Sequence, residues 1–96
     1  MEENVRKELD DLKGMMLNWK RGFLGWASTD GDNDYVLQEF IEEIQKHVYP
    51  YLTRLVVTEH LTHPEAREFM RYCYGQVEDL REQMRQVEIN GGKKEV

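Results

Sequence analysis

Ninety-six residues and 11.5 kDa leave room for one domain. Forty per cent hydrophobic residues and ten aromatics are enough to build a core, which excludes a disordered tail despite 33% charge and a mean hydropathy of −0.78. Nineteen acidic against thirteen basic residues give a net charge of −6, which repels a phosphate backbone, so nucleic acid is not an expected partner.

The single cysteine, Cys73, cannot form an internal disulfide. Residues 1–11 mix both signs of charge around no apolar leader, and no stretch approaches the ~18 uninterrupted apolar residues of a membrane span. The expectation is a cytoplasmic protein with no membrane partner.

Apolar residues first recur at Val5, Leu9, Leu12, Met16, Trp19, Phe23 and Trp26, alternating steps of four and three, the spacing of one face of a helix. Gly22 follows Lys20 and Arg21 as a terminating glycine follows the cations of a last turn, so this helix is expected to stop near Arg21. Residues 27–34 gather Gly, Asn and Asp and read as a loop. Asp34 or Asp32 is placed to accept from the free amides of the next helix.

A second seam runs Leu37, Ile41, Ile44, Val48, Tyr51, Leu55 and crosses Pro50. Proline removes the hydrogen bond to the carbonyl of Lys46, so the helix is either kinked or split there, and the unbroken register favours a kink. Residues 51–58 are rich in β-branched side chains, but nothing else in the chain pairs with a strand. Thr62 and Glu65 then fit a capping box with Pro64 in the first turn. The helix they open carries Ala66, Met70, Cys73, Val77, Leu80, Met84 and Val87, and Asn90-Gly91-Gly92 is expected to end it, leaving residues 90–96 as a flexible tail beyond a domain of residues 1–89. Short connections make neighbouring helices antiparallel, so the expected fold is an all-α, antiparallel three-helix bundle.

Candidate chemistry is sparse. Asp30, Asp32 and Asp34 mimic the start of a calcium loop, but Tyr35 stands where glycine is needed and Ile41 where a bidentate glutamate is needed. His60 and His63 share a His-x-x-His spacing, which faces one side only if the helix continues through His63, and the capping box opposes that. No metal ligand set or cofactor is assigned, and both histidines read as decorating a helix C-terminus. Arg67 with Arg71 and Arg81 with Arg85 are interleaved with acids and read as solvated, ion-paired faces. The three seams contain no charged residue, so no buried acid, base or nucleophile is indicated and the chain is not expected to be an enzyme.

Apolar residues remain outside the seams. Phe40, Tyr49, Leu52, Val56 and Val57 lie off the seam of the second helix, while Phe23, Leu24 and Trp26 cluster beside Gly22 and Gly25. Either they thicken the core or they form an interface. The favoured reading is a small interaction module that associates with itself, as a homodimer, and with a larger protein through these eight residues. The competing reading is a regulatory binder of a ligand or metal ion using His60, His63 and the acidic loop 30–34.

Overall fold

A computed structural model of the chain describes residues 2–27 and 33–94, the side chains of 90–94 excepted. Helix takes 88% of the described residues and no strand occurs among them. Helix α1 (Glu3–Leu24) is followed by α2 (Asp34–Glu43), a π turn (Ile44–Val48), α3 (Tyr49–Val57) and α4 (His63–Lys94). Because α2, the π turn and α3 follow one another without a gap, the chain forms three rods packed as a bundle. The core is their shared apolar face, from Val5, Leu9, Leu12 and Met16 of α1 to Cys73, Val77, Leu80 and Met84 of α4.

Helix α1 continues one turn beyond the expected stop at Arg21. Gly22 permits a turn without requiring one, and Phe23 anchors the extra residues by packing its ring 5.7 Å from that of Phe40. The helix then tightens, with the Trp26 and Ala27 amides donating to the carbonyls of Phe23 and Leu24. Along α1 the buried row passes from Met16 to Lys20 and leaves Trp19 half-buried. A four-three pattern repeats every 3.5 residues, and a straight helix of 3.6 residues per turn drifts off it by about 20° per heptad.

At the start of α2 the residue in the cap position is Asn33, and Asp34 stands in the first turn. The Asn33 amide Nδ2 donates to Glu88 Oε1 of α4 at 2.9 Å, so its side chain ties two rods together and gives no capping bond. The candidate cap Asp32 and the loop aspartate Asp30 lie outside the described residues.

Pro50 neither breaks the second rod nor leaves it a plain α-helix. It sits in the first turn of α3, where its missing N–H is tolerated, and the π turn precedes it, with the Tyr49 amide reaching back five residues to the Ile44 carbonyl. This turn resets the buried face. Val36, Phe40, Ile44, Val48 and Leu52 are buried at steps of four, which in an unbroken α-helix would drift about 40° per step and about 160° overall. The residue added by the π turn takes back about 100° of that drift. The expected seam positions Ile41 and Tyr51 are therefore only half-buried, and Phe40 and Leu52 fill the core.

The connection to α4 closes with a paired set of backbone bonds: the His60 amide donates to the Leu55 carbonyl and the Glu59 amide to the Val56 carbonyl. Glu59 takes the left-handed position of that motif at φ 64°, where glycine is the unstrained residue. The capping box then forms as read from the sequence. The Thr62 amide donates to Glu65 Oε1 at 3.0 Å, and the Glu65 amide donates to Thr62 Oγ1 at 3.2 Å. Helix α4 runs on through Asn90, Gly91 and Gly92 to Lys94, because these residues weaken a helix without forbidding it, so the expected boundary at residue 90 is not a helix end.

Candidate docking groove

Two of the eight expected interface residues belong to the core. Phe40 is 0% and Leu52 2% exposed, so neither is available as an apolar surface anchor. The other six fall in two separate places.

At the end of α1, Phe23 and Leu24 are half-buried and Trp26 is 63% exposed, its ring standing edge-on to Phe23 at 5.7 Å. Trp19, Gly22, Phe23 and Trp26, with Asn18 and Glu43, surround a shallow depression of about 360 Å³.

Between α3 and α4 lies a groove of about 250 Å³. Helix α3 contributes Tyr49, Leu52, Thr53, Val56 and Val57, and α4 contributes His63, Ala66, Arg67 and Met70. Leu52 forms its floor, while Val57 (75% exposed) and Tyr49 (58% exposed) stand at its edge. The wall positions 49, 53, 56 and 57 on α3 and 63, 66, 67 and 70 on α4 are the i, i+3, i+4 neighbours that share a helical face.

The groove holds no carboxylate, although acids make up nineteen of the chain's 96 residues. Arg67 makes no ion pair with a described residue. Its helical neighbours three and four residues away are His63, Pro64, Met70 and Arg71, and none is acidic. Farther along α4, Arg81 and Arg85 each pair with a glutamate three residues before, Glu78 and Glu82, at 3.6 Å. The expected ion pairs therefore form along Arg81 and Arg85, whereas Arg67 and Arg71 are exposed without one among the described residues.

The larger surface depressions are different in kind. One of about 550 Å³ between α1 and α4 sets Arg6 and Lys13 against Asp10, Glu65 and Glu68, and Lys13 lies 4.7 Å over the ring of Tyr72. Another, of about 610 Å³, is edged by Glu8, Asp11, His47 and Tyr51, where the Tyr51 hydroxyl donates to Glu8. Both depressions are lined by carboxylates, unlike the groove between α3 and α4.

The histidines do not converge. His60 faces Glu2 with Nδ1 3.6 Å from the carboxylate, His63 opens α4 and lines the docking groove, and His47 pairs with Glu43 at 3.2 Å. His63 thus stands at the helix start that the capping box marks, and the reading of it as decorating a helix C-terminus does not hold. No group of three or more His, Cys, Asp or Glu side chains is gathered for a metal ion among the described residues.

Sequence reasoning missed one buried charge. Lys20, 9% exposed, is held between α1 and α4 by an ion pair to Asp79 and a 2.9 Å bond to Gln76 Oε1. The available signal was its place four residues after Met16. Cys73 is fully buried with its thiol 3.4 Å from the Met16 sulfur, and burial pushes it up to about 12. Donation to Glu8 pushes the Tyr51 hydroxyl up to about 12 as well. Both shifts favour the neutral form and oppose nucleophile formation at neutral pH. No described helix is long and apolar enough to cross a membrane. Compared with protein-family models, with curated proteins and with solved structures, the chain matches none.

Proposed function

We propose that the chain is a non-catalytic protein–protein interaction module that takes a helix of a larger protein into the groove between α3 and α4. The observation that carries this reading is the exposure of Tyr49 and Val57 beside half-buried Val56 and Met70, an apolar face left over once the three rods have filled their core. Each large apolar side chain covered by a partner gains about 1.5–3 kcal/mol, and a helix laid between two others completes a four-helix arrangement of ordinary packing geometry. A benzophenone amino acid placed at Val57 tests it in the cells that make the protein. A discrete polypeptide adduct is expected from position 57 and not from exposed Glu39, and Met70→Glu should abolish it. Equal yields from both positions would remove the reading.

Trp26 favours self-association as a second, separate contact. Its indole lies outside the bundle on an aromatic cluster, and Trp is among the residues that most often anchor interfaces. Light scattering at tens of micromolar should report a dimer that Trp26→Glu returns to monomer. A wild-type monomer at that concentration would remove the homodimer.

A further inference from the structure

We infer that the groove between α3 and α4 selects an acidic amphipathic helix, an assignment that rests on the docking reading above and names the chemistry of its partner. Length sets the first condition. From Val57 to Tyr49 the wall rises about 12 Å at 1.5 Å per residue, which accepts apolar anchors at i, i+4 and i+7 of an incoming helix, about 10.5 Å apart end to end.

Charge sets the second. In an acidic chain the groove is lined without a single carboxylate, and its one permanent cation, Arg67, has no acidic neighbour within helical reach. A guanidinium left unpaired beside an apolar strip matches a carboxylate flanking an apolar stripe, with two parallel hydrogen bonds available.

The chain's overall charge of −6 opposes such a partner, so the groove's own lining has to carry the preference. Glu65 and Glu68 turn to the opposite side of α4, where Arg6 and Lys13 share their groove. Along the face of α4 that carries Arg67, Met70 and Tyr74, the next acid is Glu78. It lies about 16 Å from Arg67 along the axis, roughly two Debye lengths at physiological salt, and is paired with Arg81. Glu59, exposed in the turn two residues after Val57, borders the end of the groove, so the preference is local to Arg67 and is read at a stated salt concentration.

The test uses the intact chain and two synthetic helical peptides of about 16 residues. They share one leucine and phenylalanine stripe and carry either glutamate or lysine on their remaining faces. Fluorescence anisotropy at about 150 mM salt should show the glutamate peptide bound about tenfold more tightly. Arg67→Glu should invert that order, Lys7→Glu on α1, with the same change in net charge, should keep it, and Val57→Glu should abolish binding with helix content intact. Equal affinity, or a preference for lysine, would overturn the acidic assignment and leave the docking reading standing. No binding of either peptide near millimolar concentration, or binding that survives Val57→Glu, would overturn both. A wild-type dimer that Val57→Glu dissociates would give the groove to a second copy and overturn the assignment.

Discussion

Lys20 sits where α1 would otherwise bury a hydrocarbon, and its ammonium is compatible with that site only because Asp79 and Gln76 meet it from α4. Removing one partner of such a pair costs more than removing the charge. Asp79→Ala is expected to lower stability by about 1–2 kcal/mol, toward the low end because Asp79 is half exposed, and Lys20→Met to cost less than Asp79→Ala. Urea denaturation of the two variants checks the order. Cys73 gives a pH signature. Its thiol stays protonated up to about 12 in the fold, against 9.0 for a free thiol, so between those values the unfolded chain holds fewer protons and stability falls as pH rises. The loss on going from about pH 8 to pH 10.5 should be smaller in Cys73→Ala than in wild type. The capping pair Thr62 and Glu65 was legible in the sequence because both partners lie within one turn. Lys20 was not, because a 3.5-residue template gives its place to Trp19, and what neutralises it comes from 59 residues away.

Among the elements, the π turn decides which side of α3 is core and which is groove. Its extra residue carries Leu52 and Leu55 inward and leaves Tyr49 and Val57 outside. Deleting exposed Gln45 should restore plain α periodicity and rotate everything after it by about 100°. Leu52 and Leu55 would leave the core, at about 1.5–3 kcal/mol each, a large part of the 5–15 kcal/mol of a typical domain. The expected result is loss of cooperative thermal unfolding, against a small effect for Gln45→Ala. The same turn explains how far the groove could be read beforehand. Tyr49, Val56 and Val57 stood out as apolar residues without a place, whereas Phe40 and Leu52 looked equivalent to them because an i→i+5 bond leaves no mark in a hydrophobic pattern counted at 3.6. The three rods were legible because each keeps its apolar residues on one side over many turns.

The whole molecule is a rod of 57 × 21 × 18 Å, set by the 32 residues of α4. Its radius of gyration is 16.0 Å, against about 12.5 Å for a compact domain of this length. It exposes 6699 Å², against about 5800 Å² expected for its mass. Small-angle scattering should follow the two contacts separately. A helix laid in the docking groove lies alongside the rod and should leave the radius of gyration nearly unchanged, whereas a dimer joined at the Trp26 ends should lengthen it markedly. The polar ties across the rod are also uneven. Lys20 and Asn33 fasten α1 and α2 to α4, and Tyr51 fastens α3 to α1. No side-chain hydrogen bond or ion pair joins α3 to α4 among the described residues. Nine-residue α3, between the π turn before it and the strained Glu59 turn after it, is thus pinned to α1 by Tyr51 but meets α4 through apolar side chains alone. Apolar contact is non-directional, so the seam between α3 and α4 sets no polar register for a helix proposed to lie along it. Direction in the proposed contact then falls to Arg67, the permanent cation on the α4 wall.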